Sequence, residues 1–319
     1  MIGRFAMGDT IRLRTDVKDR LESSAKADVR LCWTCGSCDS ECPVNVATGL
    51  LRPQKIVRMA ALGLLEDLVC LPEVWYCARC RRCAQICPNA VKPSDLIEHV
   101  RTVAADHREL HPQTLARFSE LWRRFQRVRW HAVASCLEGD AFEDVTEEQW
   151  HRWLFSPIPE HHERIQRSAD YHLPEDLQTI SNAHRLSACF TCGECSSACP
   201  VACDRSVFDP RALFRMAYLG LEKELLAIPS IWLCVGCRRC SDCCSQQVDG
   251  RRILAALQEL AIASGAVDLY LRQRLETAHR ALYNRFISEI DRLLHNGTCT
   301  TPDASPDTHK REAQSVLSK

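Results

Sequence analysis

The sequence predicts an all-α protein in which one cysteine-bearing module occurs twice in tandem, joined by a helical linker and followed by a C-terminal helix. Three observations predict it. Residues 32–88, moved forward by 157 positions, fall on 189–245 without a gap, so Cys32 meets Cys189, Cys42 meets Cys199, Cys77 meets Cys234 and Cys87 meets Cys244. Between the cysteine runs, apolar residues recur near the helical period of about 3.6. No alternating apolar–polar stretch and no Asn-Gly turn lies between the runs, so strands and hairpins are not expected there.

Composition narrows the class. A chain of 319 residues can hold two or three cores, and 46% hydrophobic residues fit a folded protein. Lys plus Arg and Asp plus Glu both count 41, so no global charge points to nucleic acid or an anionic membrane. MIGRFAMGDTIRLRTDVKDR carries charges where a secretory leader needs an apolar core. No uncharged run reaches the roughly 18–20 residues of a membrane span. The expectation is a cytoplasmic protein without a transmembrane segment, reaching a membrane only peripherally through a partner. Its 21 cysteines then read as metal or cluster ligands, since disulfide frameworks belong to oxidising compartments and shorter chains.

The elements follow in order. Residues 1–110 form the first module. In LLRPQKIVRMAALGLLEDL, Pro53 suits a first helical turn and Ile56, Val57, Ala60, Leu64 and Leu65 make one stripe. Pro53, Arg58, Met59, Ala60, Leu62, Gly63, Leu64, Leu68, Pro72 and Trp75 recur as Pro210, Arg215, Met216, Ala217, Leu219, Gly220, Leu221, Leu225, Pro229 and Trp232. KPSDLIEHVRTVAADHREL offers Ser94 as an N-cap, and GRRILAALQELAIAS is its counterpart. Residues 111–170 are the linker: an Arg-rich helix over 111–135 (Arg117, Arg123, Arg124, Arg127, Arg129), then EGDAFEDVTEEQ, whose opposite charge could neutralise it, then SPIPEH, which stops any helix. Residues 171–265 are the second module. Over 266–296, Leu275, Leu282, Phe286, Ile290 and Leu293 trace a helical stripe ending at Asn296 and Gly297, and 297–319 read as a disordered polar tail.

The chemistry lies in CWTCGSCDSECP, CARCRRCAQICP, CFTCGECSSACP and CVGCRRCSDCCS. The spacing C-x2-C-x2-C-x3-C-P is that of two-cluster ferredoxin runs, in which three cysteines curl around one cubane and the fourth is carried away to ligate the other. Four 4Fe-4S clusters are expected. The first takes Cys32, Cys35, Cys38 and Cys87, and the second takes Cys77, Cys80, Cys83 and Cys42. The third takes Cys189, Cys192, Cys195 and Cys244, and the fourth takes Cys234, Cys237, Cys240 and Cys199. Structural zinc would instead present paired C-x2-C knuckles.

Register selects Cys244 over its neighbour, and Cys243, opposite Ile86, reads as a small apolar side chain. Cys70, Cys136, Cys203 and Cys299 read the same way, and the doublet His161–His162 as solvated surface. Four clusters with their thiolates add about −8. Against that charge Arg81, Arg82, Arg238 and Arg239, inside two cluster loops, are either cations that stabilise reduced clusters and dock a partner, or plain exposed pairs.

These cysteine runs, with a helical segment ending in a Trp before the second run, resemble the C subunit of heterodisulfide reductase over residues of roughly 10–108 and again roughly 172–265. The resemblance implies an α-helical ferredoxin fold with two clusters per module. It also implies a non-catalytic electron-transfer subunit working between flavoprotein or catalytic redox subunits of a heterodisulfide-reductase-like complex. Similar modules occur in iron–sulfur subunits of succinate dehydrogenases and glycolate oxidases, which is the alternative assembly. A redox sensor is the alternative of another class, although no output domain is visible. The chain has no G-x-G-x-x-G and no Walker A loop, and no glycine follows Cys243–Cys244 as it would in a CCG domain, so no catalytic residue is expected.

Overall fold

The structure, a computed structural model, describes residues 25–107, 110–159 and 185–297. The doublet His161–His162, Cys299, the starts of both modules and the polar tail lie outside the described residues. Among those described, every regular element is a helix or a 3-10 turn and none is an extended strand.

In the first module α1 is Pro53–Ala61, α2 is Leu65–Cys70, a 3-10 turn covers Pro72–Tyr76, and α3 is Pro93–His107. Proline at the first helical position starts α1, since its fixed φ suits the helix and its missing N–H would have no partner there. Ile56, Val57 and Ala60 bury one face. The helix ends because Gly63 takes φ 71°, donating from its N to Ala60 O at 2.9 Å while Leu64 N donates to Met59 O at 3.0 Å. This is a Schellman stop, which needs a residue tolerant of positive φ at that point.

The repeat of this stop explains the shared Arg-Met-Ala-x-Leu-Gly-Leu. In the second module Gly220 has φ 70°, its N donating to Ala217 O and Leu221 N to Met216 O, both at 3.1 Å. One detail differs from the sequence expectation. Because Pro93 already occupies the first position of α3, Ser94 lies inside the first turn, buried, its hydroxyl donating to Asp95 Oδ1 at 3.0 Å rather than capping the helix.

The linker is the 26-residue helix α4, Pro112–Leu137, followed by α5, Glu147–Phe155, whose cap Thr146 accepts from Gln149 N at 3.2 Å. The second module repeats the first: α6 is Pro210–Tyr218, α7 Glu222–Leu226, a 3-10 turn spans Pro229–Leu233, and α8 is Gly250–Ala263. Helix α9, Leu271–Gly297, closes the described chain.

Each module has its own apolar core, and α4 and α9 belong to both. Phe125, Val128 and Ala132 of α4 enter the first core, and Val133 and Cys136 the second. Helix α9 does the reverse: Leu271, Leu275 and Ala278 pack in the second core, and Leu282, Phe286, Ile290 and Leu294 in the first. The expected C-terminal stripe is therefore buried within this chain, apart from half-buried Leu293.

The arginines of α4 do not pair with the acidic stretch that follows. Arg123 and Arg124 bind Glu120 of their own helix, and Arg127 Nε donates to Asp204 Oδ2 of the second module at 2.7 Å. Glu147 of the acidic stretch instead meets Arg285 and Arg292 of α9, each at 3.7 Å. A helix turns its side chains around its axis, so charges adjacent in sequence separate onto different faces.

Candidate cluster-binding sites

The four cysteine runs share one backbone path. Between the first and second cysteines, and again between the second and third, one residue takes positive φ: Thr34 58° and Gly36 81°, Arg79 53° and Arg81 64°, Thr191 55° and Gly193 90°, Gly236 69° and Arg238 63°. For residues other than glycine this conformation costs on the order of 1–2 kcal/mol each, and such strain persists where the surrounding loop fixes it. Two left-handed steps wrap each run, and in the runs beginning at Cys32, Cys77 and Cys189 the three thiols line one hollow. The fourth cysteines Cys42, Cys87 and Cys199 leave in extended backbone, away from the preceding three.

The hollows combine the runs across each module. Cys32, Cys35 and Cys38 line one together with Cys87. Cys77, Cys80 and Cys83 line another with Cys42. In the second module Cys189, Cys192 and Cys195 share a hollow with Cys244, and Cys240 reaches its wall. Cys199 and Cys240 lie within electrostatic reach of Cys234 and Cys237, whose charges add to the upward push on both thiols. Backbone amides already point at some sulfurs: Arg79 N donates to Cys77 Sγ, Gly236 N to Cys234 Sγ and Val91 N to Cys87 Sγ, all at 3.4 Å.

These donor sets fit a cluster better than a single ion. Among the described residues no three His, Cys, Asp or Glu side chains converge on one metal-ion position, whereas zinc needs four ligands within about 2.0–2.3 Å of one centre. Four thiols set apart around a hollow match a cubane, whose cysteines bind separate irons. No disulfide competes for the described cysteines.

Burial, first of all, pushes the thiols of Cys38, Cys42, Cys80 and Cys199 up to about 12, with neighbouring cysteines adding to it. It raises Cys83, Cys237 and Cys240 as well. Cys35, which is exposed, is lowered instead, by the Ser37 hydroxyl. Ligation needs thiolates, so the buried thiols must lose protons when iron binds. The apo protein holds more protons than the loaded one at any pH below those raised values, so cluster affinity rises with pH and falls on acidification. Iron extraction by a ferrous chelator under anaerobic conditions should be more extensive at about pH 6 than at about pH 8; equal extraction at both would contradict it.

Other sequence-derived residues separate here. Arg81 pairs with Asp95 at 2.9 Å, while Arg82 binds Glu41 and crosses to the other module, donating to Val235 O at 3.1 Å. Arg82 is thus an inter-module contact rather than half of an exposed pair. Cys243 is half-buried beside the hollow of Cys189, its Sγ donating to Cys240 O at 3.8 Å. Cys136 is fully buried in the second core, whereas Cys70 and Cys203 are exposed.

Arg101 escaped the sequence reading, and Arg129 entered it only as one charge of an Arg-rich helix. Arg101 of α3 donates to Val74 O, Trp75 O and Cys77 O at 2.8–3.1 Å, and Arg129 of α4 is buried with its Nη2 donating to Leu233 O at 2.9 Å. Charged residues on helices give no periodic signal of burial. Only the carbonyls they meet reveal it.

A 4Fe-4S dicluster domain matches residues 28–91 and 161–248, the two stretches that carry the hollows. The chain carries this domain twice and is similar, over part of its length, to C subunits of heterodisulfide reductase. It is 35% identical over 77 residues to the iron–sulfur C 2 subunit of CoB–CoM heterodisulfide reductase from Methanocaldococcus jannaschii, covering 24% of this chain and 40% of that protein. It is 33% identical over 122 residues to a protein of Archaeoglobus profundus that is itself like the heterodisulfide reductase C subunit, covering 37% and 64%. With the C subunit of the ferredoxin:CoB–CoM heterodisulfide reductase of Methanosarcina mazei it shares 28% over 141 residues, 43% of this chain and 76% of that protein. The chain thus spans about half the length of the first relatives it matches. No solved structure matches. A dicluster domain present twice gives this chain four 4Fe-4S clusters. None of its described helices is long and apolar enough to cross a membrane.

Proposed function

We propose that the chain is a cytoplasmic electron-transfer iron–sulfur subunit, relaying electrons between flavoprotein or catalytic redox subunits of a heterodisulfide-reductase-like complex. Residues 1–110 and 171–265 are its two cluster-binding modules. The ligand sets are Cys32, Cys35, Cys38 and Cys87; Cys42, Cys77, Cys80 and Cys83; Cys189, Cys192, Cys195 and Cys244; and Cys199, Cys234, Cys237 and Cys240. Bound 4Fe-4S clusters supply one-electron transfer over a wide range of potentials.

The observation that carries this reading is the order of the four thiol sets. Within each module the inner set lies near the outer one: the charge of Cys38 acts on the Cys83 thiol, and Cys240 lines the hollow of Cys189. Across the module boundary Cys80 packs in the second core together with Cys237, its own repeat equivalent. The sets therefore run outer, inner, inner, outer through one molecule, with exposed Cys35 at one end and exposed Cys192 at the other. A relay needs that continuity; a one-cluster sensor does not.

Anaerobically purified protein should carry about sixteen irons and as many labile sulfides, and should co-purify from its native host with redox subunits while showing no turnover alone. Stoichiometric zinc in place of iron would sink the cluster assignment. Full iron without redox companions would sink the relay.

A further inference from the structure

Arg129 is a buried cation with no carboxylate partner among the described residues. Only 2% of it is exposed. Its Nη1 donates to Gln126 Oε1 at 2.8 Å and its Nη2 to Leu233 O at 2.9 Å, while Nε has no partner. Among the described residues no ion pair reaches it, and the two carboxylates that share its cavity are engaged elsewhere: Glu41 with Arg82, and Glu276 with Arg280 at 3.2 Å. A charge withdrawn from water needs a compensating charge. The cavity Arg129 lines also contains Cys234 and Val235, and Leu233, whose carbonyl it holds, immediately precedes Cys234.

The duplication shows what this arginine replaces. In the first module Arg101 of α3 donates to Val74 O and to Cys77 O, placing a guanidinium against the first cysteine of the inner set. The repeat puts Gln258 of α8 at that place, and it keeps the same contact, Nε2 donating to Ile231 O at 2.7 Å, but brings no charge. Helix α4 supplies the missing cation two residues along the same 3-10 turn, at Leu233. Both inner sets thus have one guanidinium on the backbone leading into their first cysteine, half-buried for Arg101 and buried for Arg129, delivered by different helices.

We propose that Arg129 is a positioning residue for the second module's inner cluster: its buried guanidinium is the counter-charge that raises the reduction potential at Cys199, Cys234, Cys237 and Cys240, at the place where Arg101 meets the backbone of the first module. A nearby cation stabilises the more negative, reduced state of a cluster and so raises its potential. The inference rests on the four-cluster reading, and the iron content of the parent protein tests that reading separately.

The experiment is a spectroscopically monitored redox titration of the full chain, loaded anaerobically, with the signal of this cluster assigned as the one that Cys237→Ser alters. Arg129→Gln should lower the midpoint potential of that signal alone, at unchanged iron content. Arg129→Lys, which keeps the charge, should hold it near the parent value, and Gln258→Arg added to Arg129→Gln should raise it again. If Arg129→Gln does not fold, Gln258→Arg in the parent protein decides the matter by raising the same potential. An iron-complete Arg129→Gln protein with all potentials unmoved, an equal fall in the Lys and Gln variants, or a Gln258→Arg protein without a shift overturns the proposal.

Discussion

Cys244→Ser should cost the protein one of its four clusters, and Cys243→Ser should cost none. Cys244 lines the hollow of Cys189, Cys192 and Cys195, and Cys243 does not. The backbone explains why neighbours differ so sharply. The one-turn helix Arg239–Asp242 continues through Cys243, which has φ −83° and ψ −7°, so its side chain stays in the helical set and turns to Cys240 O. Successive residues of a helix point about 100° apart, and two adjacent sulfurs in that conformation do not face one iron. In the first module the equivalent pair is Ile86, still helical, and Cys87, extended at φ −67° and ψ 115°. Anaerobic iron counts should give about twelve irons, or a few more if a three-iron species survives, for Cys244→Ser and about sixteen for Cys243→Ser. A damaging Cys243→Ser beside a silent Cys244→Ser would break the register of the duplication at its last cysteine.

How far the fold could be read from the chain follows from the range of each interaction. The four cysteine runs and their duplication were legible because their spacing is local and the two copies align without a gap. The Schellman stops at Gly63 and Gly220 showed in the sequence only as two glycines shared by the copies, and the left-handed turn they make appears in the fold. What joins the modules was not legible. A helical stripe on 266–296 says that Leu282 and Phe286 are buried but not against what, because periodicity carries a direction and no partner. The charge alternation after α4 suggested local neutralisation, yet Arg127 found Asp204, far along the chain. The positive φ of Thr34 and Thr191 is likewise invisible, since β-branched residues disfavour that region and only the wrapped loop imposes it. Arg82, Arg101 and Arg129 belong with these, being recognised by carbonyls that only the folded chain brings to them.

Loss of the C-terminal helix should release iron from both modules, and a single ring on its partner helix should show why. Phe125 of α4 is fully buried. It stacks on Phe286 of α9 with centroids 4.4 Å apart and meets Tyr283 of α9 at 5.3 Å and Trp150 of α5 at 5.8 Å. Truncating such a ring to alanine removes its apolar burial and leaves a cavity, costing about 3–5 kcal/mol, a large share of a typical stability of about 5–15 kcal/mol. Because α4 and α9 each pass from one core to the other, the loss is not confined to one module. Phe125→Ala should therefore lower the chemical unfolding midpoint of the loaded protein, and a chain ending before Leu271 should lose iron from both dicluster modules together. If the shortened chain kept its iron and lost only its redox companions, the apolar stripe of α9 would serve another subunit, and the packing of Leu282, Phe286 and Ile290 into the first core would not be what holds the two modules together.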